Sequence, residues 1–296
     1  MISSLALIGV WINTCGLLLV NCVVLCFSME CVYFLMFDEN RAMKIAKTKS
    51  VLKNNLKVEV PRRLTYVDAS FLDGCAVLWV VPWPAGGIMQ DFLNNFRRHI
   101  LSRMESSDVY LVFDRYKEGG IKESTRNERD QGASRVYTLR PVTRLPSQKA
   151  ILTVSRNKKQ LIDLILADLV SNKDMFNKKL VITGNDPVPV QIEEGVVSRR
   201  EDITIMHEEA DTMIIHQIAS VGAANVLVVA DDTDVFVLLC HFVFHREIIG
   251  HVRMISPISG RTVIDMNASN MTPSVEEAFG QATQFILSCY GHPECY

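Results

Sequence analysis

"HEEADTMIIHQIASVGAANVLVVADDTDVFVLL", His207 to Leu239, decides how this chain is read, because its hydrophobic period changes partway along and its acids gather at two places. Six acidic residues, Glu208, Glu209, Asp211, Asp231, Asp232 and Asp234, stand here without a single Lys or Arg. Apolar spacing from about Met206 to Ser220 predicts a helix, with Glu208, Glu209 and Asp211 in its first turn, where the helix macrodipole favours negative charge. "NVLVVA" reads as a short buried strand ending on Asp231, and the apolar run "VFVLLCHF" follows.

The same alternation extends upstream. "KLVITGN" is another short apolar strand, and "KKQLIDLILADLVSNK" before it has helical spacing. "VYLVF" gives a buried strand ending at Asp114. Met89, Phe92, Leu93, Phe96, Ile100 and Leu101 recur at three-to-four spacing and predict an amphipathic helix between Ile88 and Met104. Earlier still, "LTYVDASFLDG" reads as a strand ending at Asp68, and the apolar run "CAVLWVVPW" is stopped by Pro82 and Pro84. Strands alternating with helices predict an α/β domain with a mainly parallel central sheet flanked by helices.

The chain has 296 residues, 48% hydrophobic and 22% charged, a globular composition. A formal net charge of −2 hides a local asymmetry: residues 115–159 hold twelve Lys or Arg against four Asp or Glu. Such a basic stretch suits a nucleic-acid backbone, and equally a solvated surface. The eight cysteines match neither a disulfide framework nor a zinc ribbon, and Cys289, His292 and Cys295 offer three ligands without a fourth.

The first 29 residues contain no charged side chain, and the apolar run continues through "CVYFLMF". It is long enough for a bilayer-spanning helix, which needs about 20 such residues, and too long for the roughly 7–15-residue apolar region of a signal peptide. Residues 1–37 are therefore expected to form an N-terminal apolar, transmembrane helix, with residues 5–27 meeting the membrane. Arg41, Lys44, Lys47, Lys49, Lys53 and Lys57 follow the run, which turns the remainder toward the cytoplasm. A basic connector over 38–63, a main domain over 64–265 and a tail with one helix over 266–296 complete the expected layout. The bland alternatives are an apolar segment docked on a soluble, nuclear or cytoplasmic domain, or a segment joined to a fold that lacked it. Asn267 and Asn270 lie in sequons that matter only in a lumen.

In open α/β sheets, functional groups collect beyond the carboxyl ends of the strands. Asp68, Asp114 and the Asp231, Asp232, Asp234 group are expected there, joined by the acids that start the helix. Each alone is explained by capping, worth about 0.3–1 kcal/mol in the field of a helix. Together they would repel by about 4 kcal/mol per pair at 4 Å and an effective dielectric near 20, which calls for hard divalent cations. Two magnesium ions can activate water and steady a leaving oxygen in phosphodiester cleavage.

These islands resemble the nuclease domain of the flap endonuclease and xeroderma-pigmentosum-type family, a branch of the PIN-like fold. "YVDAS" is similar to its first-strand aspartate motif, "LVFDRYKEGGIKESTRNERDQG" to its Phe-Asp and basic-helix segment, "EEADTMIIHQIA" to its acidic helix start, and "VVADDTDVFVLL" to its Asp-x-Asp strand end. The resemblance spans about residues 64–240. It implies a PIN-like domain in which Asp68, Asp114, Glu209, Asp211, Asp232 and Asp234 are the catalytic ligands of Mg²⁺ or Mn²⁺. It also implies that Lys122, Arg126 and Arg129 contact the phosphates of single-stranded or branched DNA or RNA. The family's further Gly-x-Asp segment has no counterpart after Asp234, and Asp265 is the only later aspartate.

"VVADDTDVF" also contains the Asp-x-Asp nucleophile pattern of haloacid-dehalogenase-like phosphatases, but no Lys follows Asp234 to serve that chemistry. "DAS" at Asp68 lacks the second serine of an integrin-type metal motif. The rival from another class is an inert, nuclease-derived module that binds nucleic acid or tethers to a membrane without cutting.

Overall fold

The computed structural model describes residues 53–54, 56–60, 66–116, 135–258 and 263–270. The apolar run 1–37, Lys122, Arg126, Arg129 and the Cys289, His292, Cys295 group lie outside them. No helix among the described residues is long and apolar enough to cross a membrane.

Nine strands form one mixed sheet flanked by helices: β1 (Glu59–Val60), β2 (Ala69–Asp73), β3 (Asp108–Val112), β4 (Leu180–Thr183), β5 (Val190–Glu193), β6 (Val196–Arg199), β7 (Asn225–Val229), β8 (His251–Ile255) and β9 (Val263–Asp265). Their spatial order is β1-β9-β8-β7-β2-β3-β4-β5-β6. The run from β8 through β7, β2 and β3 to β4 is parallel. The hairpin of β5 and β6 continues it antiparallel. A parallel sheet covered on both faces needs strands apolar on both sides, and β3, β7 and β8 each bury every residue but the first. β6, at the edge, is exposed along its whole length.

Among the helices, α1 (Gly74–Val80), α2 (Met89–Met104), α3 (Gln148–Leu152), α4 (Ser155–Ser171) and α5 (Ala210–Val221) share a compact unit with β2–β8; α6 (Thr233–Phe244) and α7 (Met266–Asn270) belong to another with β1. Within the first unit, α2 buries Met89, Phe92, Leu93, Phe96 and Ile100, the stripe expected from its spacing. Phe92, Phe96 and Phe113 form a chain of rings beneath it, with centroids 6.2 and 6.3 Å apart. Truncating one such buried Phe to Ala costs about 3–5 kcal/mol. Within the second unit, α6 buries Val235, Phe236, Val237, Leu239 and Cys240, and α7 lies against it.

Two expectations need correction, and one apolar run whose type was left open proves helical. The first long strand does not end at Asp68 but starts just after it, so "ASFL" is its buried body and Asp73 its last residue. "GCAVLWV" is helical because the Asp73 carboxylate accepts the Ala76 N–H at 3.1 Å and caps it. The helix expected from Met206 begins at Ala210, since the Glu208 carbonyl accepts the Arg115 N–H at 2.8 Å instead of starting a helical ladder.

Candidate metal centre

β2, β3 and β4 step across the sheet in one direction, while β7 and β8 step the other way from the same place. The strand order therefore reverses between β2 and β7. In open parallel sheets the crevice outside the carboxyl ends at such a reversal is where ligands bind.

Register sets the height of each side chain along this edge. Asp73 pairs with Val112, Leu72 with Val229, and Val112 with Thr183. Asp73 ends β2, Asp114 stands two residues beyond β3, and Asp231 two beyond β7, so the three lie within two residues, about 7 Å, of one level on strands spaced about 4.8 Å apart. None is fully buried.

Asp114 Oδ1 accepts the Ala210 N–H at 3.0 Å, so the end of β3 caps α5, whose own N-cap Glu209 makes no side-chain cap. Arg115 is buried and its guanidinium donates to the Ile205 carbonyl at 2.7 Å, fastening the loop that enters the helix. Burial lowers the Arg115 pKa, against the opposing pull of Asp186 and Glu208. Deeper in α5, buried Gln217 donates to Thr183 Oγ1 at the end of β4 at 2.6 Å. Asp211, in the first turn, is thereby placed from two strand ends at once.

Asp232 and Asp234 each offer one carboxylate oxygen, and these two oxygens lie within 4.8 Å of each other. Asp232 is exposed and caps α6, its Oδ1 accepting the Asp234 N–H at 2.9 Å, while Asp234 is 9% exposed. Unit charges at such a spacing repel by roughly 3–4 kcal/mol at an effective dielectric near 20. Oxygens bound to one hard cation at about 2.0–2.6 Å can be at most about 4–5 Å apart, so the Asp232 and Asp234 pair has the right reach for one.

Asp68 is on the opposite edge of the sheet. Its carboxylate accepts the Asn225 backbone N–H at 2.7 Å and the Asn225 Nδ2 at 3.2 Å, tying the amino ends of β2 and β7 together. Five residues of extended chain, about 16 Å, separate it from Asp73. Glu209 stands at the N-cap of α5, two residues before Asp211.

Asp73 was not among the expected ligands, although the apolar pair Phe71 and Leu72, ending in Asp before a further apolar run, was visible in "SFLDGCAVLW". Cys75 follows it, its thiol 3.5 Å from Asp114 Oδ2, and its pKa is pushed far up by burial and then by the Asp114 and Asp73 carboxylates. Lys158 of α4 opposes that shift and holds its ammonium 5.5 Å from the Tyr116 ring, two residues beyond Asp114. A cation thus stands at the border of the acidic edge. No protein-family model and no curated protein matches the sequence.

Proposed function

We propose that this protein is a metal-dependent nuclease that hydrolyses phosphodiester bonds in DNA or RNA, of the flap and structure-specific type suggested by its resemblance to the PIN-like nucleases. The observation that carries the reading is the acidic edge at the strand-order reversal, where Asp73, Asp114 and Asp231 end neighbouring parallel strands. Asp211, Asp232 and Asp234, which the resemblance implies as ligands, would hold Mg²⁺ or Mn²⁺. The ion would supply an activated water and charge neutralisation at the phosphate. Asp73 is proposed in place of Asp68, because Asp68 serves the other end of the sheet.

Each carboxylate has its own task. Asp114 positions α5 through Ala210, which keeps Asp211 at the edge. Lys158 and, from the basic segment, Lys122, Arg126 and Arg129 would hold phosphates of single-stranded or branched substrate. In hydrolysis, water adds to phosphorus, its proton leaves to a carboxylate or solvent, and the bridging P–O bond breaks to release the leaving strand as its oxyanion.

The full chain is expected to cut single-stranded or branched DNA or RNA with Mg²⁺ or Mn²⁺ and to lose at least about a hundredfold in rate on Asp211→Asn, the scale of one lost electrostatic stabiliser. Cutting that persists in EDTA, or that Asp211→Asn leaves intact, refutes the proposal. Salt-sensitive binding without cutting under either metal would replace it with a non-catalytic binding module.

A further inference from the structure

A second cluster of metal-ligating side chains lies on α6, at the end away from its aspartates. His241 and His245 are one helical repeat apart, both half-buried, with ring centroids 4.4 Å apart and planes inclined at 61°. We infer that His241 and His245 form a two-imidazole site for a divalent transition-metal ion of the zinc, nickel and copper type, with water completing the coordination.

Four observations agree. Residues four apart on a helix face the same way, so both imidazoles can reach one ion. A zinc–nitrogen bond of about 2.0–2.1 Å puts each ring centre about 3.2 Å from the metal, and rings subtending 90–109° there have centres about 4.5–5.2 Å apart, next to the spacing observed. Phe242 and Phe244 stand edge-on to the two imidazoles, at 5.4 Å and 75° to His241 and 5.2 Å and 87° to His245, which limits how far either ring can turn. Finally, His245 is the C-cap of α6, so an ion here meets the negative end of the helix dipole.

Imidazole has two nitrogens, so each ring can bind metal through one and keep a hydrogen bond through the other. The three residues between the histidines, Phe242, Val243 and Phe244, include no acid or base. The site therefore binds an ion without an adjacent group to activate its water, in contrast to helices that carry a glutamate between two such histidines. Seven residues of helix, about 10 Å, separate His241 from Asp234. Ligand type separates the two sites further: imidazole suits zinc, nickel and copper, whereas carboxylate suits magnesium and manganese.

The site does not depend on the nuclease reading. With one equivalent of Cu²⁺ added to the full chain, the electron paramagnetic resonance spectrum is expected to show coupling to two imidazole nitrogens. His245→Gln is expected to remove one of these couplings and to weaken Cu²⁺ and Zn²⁺ at least tenfold in a competition titration. His241→Gln should do the same, and His245→Gln, at the helix end, keeps the test valid if His241→Gln disturbs packing. A His241→Gln, His245→Gln chain with unchanged spectrum and affinity overturns the inference.

Discussion

The two edges of the parallel sheet make an instructive pair. At the amino edge, Asp68 accepts two hydrogen bonds from Asn225 and so joins β2 to β7. At the carboxyl edge the aspartates of the same two strands, Asp73 and Asp231, stand where the strand order reverses, close to helix starts that bring further acids. A parallel sheet points every strand's backbone the same way, so one edge receives the loops that enter helices and the other the loops that leave them. Carboxylates on the first edge are gathered, while one on the second can be fully engaged by a single neighbour.

That contrast can be broken by substitution. Asp211→Asn should abolish metal-dependent cutting while leaving the fold as stable as before or slightly more so without metal, since one like charge is removed. Asp68→Ala should do the reverse. Removing its carboxylate leaves the Asn225 N–H without that acceptor and is expected to lower unfolding stability by about 1–3 kcal/mol, measured by urea denaturation. Metal-dependent protection should survive. Equal effects of the two substitutions on metal response would dissolve the distinction between the edges.

A smaller effect sharpens the same point. Raising Mg²⁺ to about ten times its dissociation constant should stabilise the wild type by about 1.4 kcal/mol, seen as a rise in melting temperature. The shift should vanish in a chain carrying Asp211→Asn, Asp232→Asn and Asp234→Asn, and remain in Asp68→Ala. Asparagine at 232 keeps a helix cap, so a lost shift reports charge rather than a frayed α6.

The smallest expected effect lies away from both edges. Half-buried His99 on α2 has its pKa lowered from the ordinary value of 6.5 by burial and then by Arg103. Its Nε2 finds no hydrogen-bond partner among the described residues. A lowered native pKa means that the unfolded chain takes up the proton first, so this contribution is intact above pH 6.5 and is lost as pH falls below it. His99→Asn should flatten that part of the stability profile; an unchanged acid slope would show that His99 does not contribute to it.

Much of the architecture was legible in linear form. The buried runs "VYLVF", "KLVITGN" and "NVLVVA" and the stripe from Met89 to Ile100 appear where hydrophobic period placed them. Periods failed where an apolar run was too short to distinguish helix from strand, as in "GCAVLWV", which folds as α1 because Asp73 caps it. The hairpin that ends in exposed β6 left no alternating pattern there, for neither face of β6 is covered.

For the carboxylates, residue order already showed that Asp211 belongs to a helix start, since capping is a local preference, whereas Asp232 and Asp234, read as a strand end, open α6 instead. It could not show which end of β2 carries the acid proposed for the metal centre. Both Asp68 and Asp73 border the same four-residue buried run, and only pairing to β3 and β7 orients that run relative to the reversal point. Equally, no period in the chain announces that Asp114 will cap α5, because that bond joins residues 96 positions apart and exists only once β3 and α5 are packed. Local chemistry named the acids, and long-range strand pairing chose among them.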